Sequence, residues 1–202
     1  METFYYNNAN KIFFTADTHF SHRNILKYQA STRPFETIDE MNDKIVENWN
    51  SVVPKDGVVY HLGDFSTGNS HNWAGIRKRL NGRIGLVLGN HDLLPLSEIQ
   101  PLFMNINDTV ALKIQDPDAH RGCQMIILNH YAMRVWNKSH YGSWSLYGHS
   151  HGSLPDDPNA LSIDVGVDCF NLTPLSYHQI KEIMSKKDFR PVDHHIGSRN
   201  RT

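Results

Sequence analysis

Seven short apolar runs recur along the sequence, and their length limits what the chain can fold into. They are KIFFTA (11–16), VVYHL (58–62), IGLVL (84–88), VALKI (110–114), MIIL (125–128), WSLY (144–147) and LSIDVGV (161–167). Short runs that are rich in β-branched and aromatic side chains are typical of buried strands. The sequence therefore predicts a protein built around β-sheet.

Amphipathic patterns between these runs predict helices. The clearest covers 36–52, where apolar residues recur at steps of three and four and so share one helix face. Further helices are predicted over 71–80, 96–103 and 174–186, the last with Thr173 as its N-cap and proline in its first turn. The segment DPDAHRGC predicts a hairpin loop between two strands of the second half. Strands and helices together predict the α/β (α+β) class.

The chain has 202 residues, and we expect 1–202 to form a single domain with a frayed or loosely packed tail over 188–202. Its 20 Lys and Arg residues nearly balance 21 Asp and Glu residues, which argues against a general attraction to nucleic acid or anionic membranes. No apolar run approaches the roughly 18 residues of a spanning helix, and the first residues lack a signal-peptide pattern, so we expect a cytoplasmic protein. Cys123 and Cys169 form no motif that indicates a disulfide framework or a cysteine zinc site.

Residues that can bind metal ions directly follow five of the predicted strands. In chain order the segments are Asp17-Thr18-His19, Gly63-Asp64, Gly89-Asn90-His91-Asp92, Asn129-His130 and Gly148-His149-Ser150-His151. Sites form at the carboxyl ends of strands in open α/β sheets, so we expect these segments to converge on one crevice. Residues at i and i+2 of an extended segment point to the same side, which predicts that the two ends of D-x-H, and of H-x-H, act on one centre.

Seven of these residues are candidate metal ligands: Asp17, His19, Asp64, Asn90, His130, His149 and His151. That number exceeds the ligand set of one four-coordinate ion and predicts two ions. Carboxylate, amide and imidazole ligands without thiolate suit Mn²⁺, Fe, Zn²⁺, Co²⁺ or Ni²⁺. Two such ions about 3.5 to 4 Å apart can clamp a phosphate for in-line displacement.

The ordered set D-x-H, G-D, G-N-H-D, H and G-H-x-H resembles the calcineurin-like metallophosphoesterase superfamily over 17–151. The segments FTADTHFSHRNIL and VVYHLGDF are similar to those of a small single-domain bacterial and phage group within it. The resemblance implies a four-layer αββα sandwich. In that fold two central sheets face each other, helices cover both outer sides, and the metals lie at the strand ends.

The resemblance also implies a role for each ligand. It assigns one metal to Asp17, His19, Asp64 and His151, and the other to Asp64, Asn90, His130 and His149, with Asp64 bridging. Mn²⁺ is the expected metal. The implied reaction is hydrolysis of a phosphomonoester or a small phosphodiester by a metal-bridging hydroxide. Asp64 and His91 are then the catalytic residues, and His91 protonates the leaving oxygen.

Residues beside these motifs have two interpretations each. The candidates for substrate binding are Asn90, His91, His22 and Arg134. His22 also fits a solvated helix start, and Arg134 an ordinary salt bridge. Asp92 either orients His91 or caps the turn that follows it. Asp164 and Asp168 are expected to be exposed charges on a strand rather than supports for the site.

The expected partner is a phosphorylated small molecule or nucleotide, with no role for a membrane and with the oligomeric state open. A metal-dependent nuclease acting on DNA or RNA is the alternative, which the net charge of −1 disfavours. A non-catalytic scaffold of the same fold is less favoured still, because all seven ligands and His91 are present.

Overall fold

The computed structural model describes residues 1–192, so residues 193–202 of the expected tail lie outside the described part of the chain. Ten strands occur within it: β1 (Glu2–Tyr6), β2 (Ile12–Thr15), β3 (Val58–His61), β4 (Arg83–Val87), β5 (Asn105–Asn107), β6 (Thr109–Gln115), β7 (Cys123–Asn129), β8 (Trp144–Tyr147), β9 (Ser162–Asp164) and β10 (Leu175–Ser176). Five α-helices accompany them: α1 (Ile25–Tyr28), α2 (Ile38–Val52), α3 (Ser70–Arg79), α4 (Leu96–Ile99) and α5 (Tyr177–Ser185).

The strands form two five-stranded sheets of mixed direction. The first sheet has the order β1-β6-β7-β8-β9, and the second has the order β10-β2-β3-β4-β5. The hairpin predicted at DPDAHRGC is confirmed, because it joins antiparallel strands β6 and β7 with Gln115 opposite Cys123. Two mixed sheets with helices confirm the α+β class.

Three strands of these sheets lie outside the predicted apolar runs, and all three are edge strands. β1 is an edge of the first sheet, and β5 and β10 are the two edges of the second. An edge strand is partly solvated, so it does not need a continuous apolar run. β1 shows this directly, since its five residues are exposed or half-buried.

Alternation along the strands divides their side chains between two cores. In β2, Ile12 and Phe14 lie in a core that contains residues of both sheets, which we call the shared core. Phe13 points the other way, into a second core on the far side of the second sheet. Tyr6 and Tyr60 meet between the sheets, with 2.8 Å between their hydroxyl oxygens. The two sheets therefore face each other.

Helices cover the far side of the second sheet. At the start of α2, the Thr37 side chain accepts a hydrogen bond from Glu40 N, and the Glu40 carboxylate accepts one from Thr37 N. Its Met41, Ile45 and Trp49 are fully buried in the second core, as the sequence periodicity predicts. Helices α1, α3 and α4 add buried residues to the same core.

The helix predicted over 96–103 is shorter than expected. The α-helical part ends at Ile99, and a 3-10 turn follows over Gln100–Leu102. Pro101 explains the change, because a proline nitrogen has no hydrogen to donate to the carbonyl one turn earlier.

The last helix begins later than expected. It starts at Tyr177 rather than at Pro174, and Ser176 rather than Thr173 is its N-cap. Leu175 and Ser176 pair with the edge of β2 instead of entering the helix. Ser176 and Gln179 also form a capping box, so the strand pairing and this local signal together set the start of the helix.

Helix α5 belongs to the shared core. The ring of Tyr177 stacks on that of Trp144, with 5.5 Å between their centroids. The opposite face of the first sheet is open to solvent at Tyr5, where Lys113 Nζ lies 5.1 Å from the ring centroid. The helical layer that a four-layer sandwich places outside the first sheet stays a prediction. Among the described residues, no helix is long and apolar enough to cross a membrane.

Candidate metal centre

The strand-end segments meet where the two sheets come together. β2, β3 and β4 are parallel neighbours, so the residues that follow them emerge at one edge of the second sheet. β7 and β8 are parallel neighbours in the first sheet. Ala16, which follows β2, pairs with Gly166, which follows β9, and Val167 N donates to Ala16 O at 3.0 Å. This contact brings the two sets of strand ends to one place.

Two groups of side chains there have potential metal-ligand atoms within 4.8 Å of one another. The first group is Asp17, His19 and His151, and the second is Asp64, His130 and His149. Asn90 lies with the second group, because its Oδ1 is 3.0 Å from His130 Nε2 and 2.9 Å from His149 Nδ1. Asp64 Oδ2 is 3.4 Å from His19 Nε2 and 3.6 Å from His130 Nε2, so it lies between the groups. Each group could hold one metal ion.

His19 has the environment of a metal ligand. Its side chain is 3% exposed, and its Nε2 has no hydrogen-bond partner among the described residues. Burial lowers the pKa of the imidazole to about 2, so the ring is neutral. A buried polar atom without a partner costs about 1–3 kcal/mol, and a bond to a metal ion would remove that cost.

Two buried carboxylates add negative charge to the same space. Asp17 is fully buried and Asp64 is nearly so. Burial, followed by the charges of Asp164 and Asp64, raises the pKa of Asp17 well above its ordinary value. A divalent cation beside these carboxylates would favour their charged forms. The donor set therefore fits divalent ions with imidazole and carboxylate ligands.

Five of the ligand residues have left-handed backbone conformations. The φ angles are 56° at Asp17, 47° at His19, 57° at Asp64, 67° at His149 and 48° at His151. The prediction that the D-x-H and H-x-H pairs lie on extended segments is therefore wrong. His149 and His151 join different groups, as the resemblance implies, whereas Asp17 and His19 join the same one. Non-glycine residues held in this region cost on the order of 1–3 kcal/mol each, and such strain concentrates at functional sites.

Two glycines allow the ligands to approach the backbone closely. A Cβ atom on Gly89 would lie 2.3 Å from Asp64 Oδ1, and one on Gly63 would lie 2.5 Å from His130 Nδ1. Gly63 also has a φ of 97°, which other residues rarely adopt. Any side chain at either position would displace a candidate ligand.

Backbone hydrogen bonds orient two of the ligands. His130 Nδ1 lies 2.7 Å from Leu62 O. Because a carbonyl oxygen only accepts, Nδ1 carries the proton, and the lone pair on Nε2 faces the second group. Asp17, in the first group, accepts hydrogen bonds at both carboxylate oxygens from His149 N, at 3.0 and 2.9 Å.

Asp92 supports the turn that carries Asp64. Its carboxylate accepts hydrogen bonds from the backbone N–H groups of Asp64, Phe65 and Gly89, each at 2.9 Å. Burial raises the pKa of Asp92 to about 6, although these bonds act in the opposite direction. The sequence predicts that Asp92 orients His91 or caps the following turn, whereas its oxygens hold the segments of Asp64 and Gly89 together.

His91 and His22 lie beside the first group. The ring centroid of His91 is 5.2 Å from that of His19 and 5.7 Å from that of His22. His91 is exposed to solvent, and its backbone N–H donates to Asp64 Oδ1 at 2.8 Å. Burial and the neighbouring His91 lower the pKa of His22. Two imidazoles thus stand at the rim of the centre.

Arg134, the remaining candidate for substrate binding, lies apart from the centre, whereas the nearby Tyr131 contacts it. Tyr131 stacks edge-on to His149 with 4.6 Å between ring centroids, and its hydroxyl is 3.4 Å from Asn90 Oδ1. Arg134 is exposed. Together with Trp136 it lines a separate pocket, and none of the described residues that line this pocket is a candidate metal ligand.

Sequence reasoning missed Arg33 and misplaced Asp168. Arg33 is fully buried, and its guanidinium makes a bidentate ion pair with Asp168, at 2.9 Å from Nε to Oδ1 and 2.7 Å from Nη2 to Oδ2. The side chain of Asp168 is 0% exposed, so the expectation of an exposed charge is wrong. Asp168 Oδ2 also lies 2.6 Å from His151 Nδ1. No motif or periodicity marks Arg33, whose partner is 135 positions away.

Asp164 is also buried rather than exposed, with 7% of its surface accessible. Its two oxygens accept hydrogen bonds from Gly152 N at 3.0 Å and Gly166 N at 2.8 Å. These bonds fix the turn after β8 against the end of β9. Asp164 therefore supports the site, although the sequence analysis expected it to be an exposed charge.

Comparison with known proteins places the chain among relatives that share most of its length. No family model matches the chain. It is 25% identical over 199 residues to the Gene 66 protein of Mycobacterium phage D29, an alignment that covers 87% of this chain and 96% of that protein. The crystal structure of the protein of unknown function AQ665 from Aquifex aeolicus is similar, with a TM-score of 0.62, 25% identity, and coverage of 85% of this chain and 98% of that one.

A stronger match comes from an archaeal protein. The chain is 31% identical over 185 residues to the uncharacterized protein MJ1445 of Methanocaldococcus jannaschii. The alignment covers 87% of this chain and 92% of that protein, so the likeness extends over most of both proteins. The chain therefore belongs to the family of MJ1445.

Proposed function

We propose that this protein is a phosphoesterase that uses two divalent metal ions to hydrolyse a phosphomonoester or a small phosphodiester. The observation that carries the proposal is the pair of adjacent ligand groups with Asp64 Oδ2 between them, 3.4 Å from His19 Nε2 and 3.6 Å from His130 Nε2. A carboxylate in this position can serve two ions at once, which is the arrangement that two-metal hydrolysis of phosphate esters requires.

The resemblance to calcineurin-like metallophosphoesterases supports the same proposal. Its five motifs occur in order, and their residues come together at the ends of strands of two facing sheets. We extend the proposal to the four-layer fold of that superfamily and to its assignment of ligands. Mn²⁺ is the metal we expect, with Fe, Zn²⁺, Ni²⁺ and Co²⁺ as the other members of the compatible set.

We assign the metal ions and the neighbouring side chains separate roles in the proposed reaction. Bound divalent ions would neutralise charge on the phosphate and activate the attacking water. Asn90 turns its Oδ1 towards His130 and His149, so its amide NH₂ is left to donate to a phosphate oxygen. The exposed imidazole of His91 stands beside the first group, where it can protonate the leaving oxygen. His22 lies next to it and can donate to the same phosphate.

A substrate panel tests this proposal. Metal-free protein is supplied with Mn²⁺ and incubated with an aryl phosphate monoester, an aryl phosphodiester and short DNA and RNA oligonucleotides. We expect turnover of the monoester or the small diester, and loss of that turnover in Asp64→Ala. Asp118→Ala is a matched control, because Asp118 is an exposed carboxylate paired with Lys181.

Two results would contradict the proposal. Turnover of oligonucleotides alone, with strong dependence on salt, would favour the nuclease. No turnover of any substrate with any of the five metals, by protein that is folded, would favour a non-catalytic scaffold.

A further inference from the structure

We propose that Arg33 and Asp168 are positioning residues that set the affinity of one metal position, the first group of Asp17, His19 and His151, and leave the second position largely unaffected. This inference rests on the proposed function, because it concerns the same two metal positions. It assigns a role to an ion pair that the proposed reaction does not otherwise use.

The contact between Asp168 and His151 determines which imidazole nitrogen is available. Asp168 Oδ2 lies 2.6 Å from His151 Nδ1. A carboxylate only accepts hydrogen bonds, so Nδ1 carries the proton and Nε2 is left with its lone pair. A carboxylate bonded in this way also makes the imidazole a stronger donor to a metal ion and fixes the plane of the ring.

Arg33 in turn holds the carboxylate in place. Its guanidinium bonds both oxygens of Asp168, which prevents the carboxylate from rotating away from His151. Both side chains are completely buried, so water does not compete for these bonds. The geometry of His151 therefore depends on Arg33 through Asp168.

The same guanidinium fixes the backbone that carries the other ligands of this group. Its Nη2 donates to Asp17 O at 2.6 Å, and its Nη1 donates to Thr18 O at 2.9 Å. These carbonyls belong to the segment in which Asp17 and His19 have positive φ angles. One buried cation thus stabilises a strained segment and, through Asp168, the imidazole that faces it.

The second metal position is supported in a different way. His130 is oriented by Leu62 O, and the turn of Asp64 is held by Asp92. Among the described residues, neither Arg33 nor Asp168 forms a direct hydrogen bond with His130, His149 or Asn90. The nearest link is indirect, through Asp17, which accepts from Arg33 at its carbonyl and from His149 N at its carboxylate. Loss of the ion pair should therefore act on one position selectively, whereas a general loss of stability would weaken both.

Calorimetric titration with Mn²⁺ alone tests the inference. His149→Ala removes a ligand of the second position, so the remaining affinity reports the first. We expect His149→Ala/Asp168→Asn to bind Mn²⁺ about 10- to 100-fold more weakly than His149→Ala, the usual cost of removing a partner of a ligating histidine. The matched control is Asp43→Asn in the same background, because Asp43 forms an exposed pair with Arg79 and should leave affinity unchanged.

Asp168→Asn leaves the charge of Arg33 buried without its ionic partner, so the folding of this variant is checked by circular dichroism in the presence of chelator. Arg33→Lys is the second variant, since lysine keeps a cation beside Asp168 but loses the bidentate contact. It should weaken the first position in the same direction by a smaller factor. The inference is overturned if Asp168→Asn folds and binds Mn²⁺ at the first position with unchanged affinity. If Asp168→Asn does not fold, unchanged affinity in Arg33→Lys overturns it instead. Wild-type protein that binds no Mn²⁺ overturns the proposed function, and this inference with it.

Discussion

The position of the Asp64 carboxylate between the two ligand groups is set by its neighbours. Its Oδ2 faces imidazoles of both groups, while its Oδ1 accepts a hydrogen bond from His91 N. Its own N–H donates to Asp92, and the absence of a side chain at Gly89 leaves room for its carboxylate. The residue can face two groups because its backbone is held in a left-handed conformation by neighbours that the five motifs also supply.

Substitution of His91 should affect turnover without affecting metal binding. His91→Ala should retain both metal ions, because its exposed imidazole belongs to neither group of potential ligand atoms. Turnover should fall by about 10²- to 10⁴-fold, the usual contribution of a general acid. Steady-state kinetics and metal analysis of the same preparation measure both quantities. Loss of a metal ion in this variant would assign His91 a different role.

Among the elements, the turn after β8 supplies ligands to both groups. Within LYGHSHG, His149 joins Asp64 and His130, and His151 joins Asp17 and His19. The motif predicted the residues, but an extended segment would have pointed them to one side. The resemblance implies their assignment to different metals, but the left-handed φ angles of 67° and 48° are a backbone feature that a residue pattern does not reveal.

Because His149 and His151 belong to different groups, substituting each of them should weaken a different metal position. His149→Ala should weaken the metal position that contains His130 and Asn90, and His151→Ala should weaken the one that contains Asp17 and His19. Calorimetry with Mn²⁺ resolves the two binding steps. The assignment fails when both variants lose the same ion while the other ion stays bound.

Helix α5 is held against the first sheet by a buried carboxylate at the end of β6. Asp116 accepts hydrogen bonds from Tyr177 Oη at 2.5 Å and from Lys181 Nζ at 2.8 Å. Burial alone would raise the pKa of Asp116, but the bonds from Lys181 and Tyr177 outweigh it and hold the pKa below its ordinary value. The stabilisation is therefore complete above the unfolded pKa of about 3.9 and is lost as the pH falls through the lower folded value.

Asp116→Asn tests this contact through the pH dependence of stability. The variant should lose about 1.5–3 kcal/mol of unfolding free energy near neutral pH, the range for hydrogen bonds to a charged group. The difference from wild type should shrink as the pH falls below about 4, because protonation removes the same charge from the wild type. Urea unfolding at several pH values measures it. A difference that stays constant down to the lowest pH would contradict the account.

The elements also show where prediction from sequence succeeds. Helix α2 combines a capping box with an amphipathic face, so local signals and tertiary packing agree. Helix α5 begins three residues later than predicted, because Leu175 and Ser176 pair with β2, a contact that no local pattern contains, and because the capping box lies at Ser176 and Gln179 rather than at Thr173. Edge strands such as β1 carry no apolar run and were missed for that reason.

In the whole molecule, the candidate centre lies where two sheets meet. Strands β2, β3 and β4 supply Asp17, His19, Asp64 and Asn90 from one sheet, and strands β7 and β8 supply His130, His149 and His151 from the other. The bridge between Ala16 and Gly166 holds the two sets together. The seven candidate ligands could be read from motifs because each motif directly follows one of five strands. Arg33 could not, since no motif marks it and its ion pair with Asp168 exists only after the sheets have met.

The number of Mn²⁺ ions bound per chain tests the central claim most directly. Metal-free wild-type protein is dialysed against Mn²⁺, the bound metal is counted, and the sample is examined by electron paramagnetic resonance. We predict two ions per chain with the magnetic coupling expected of ions that share Asp64, and loss of that coupling in Asp64→Ala. Folded wild-type protein that binds fewer than two ions at saturation, or two ions that show no coupling, would contradict the account.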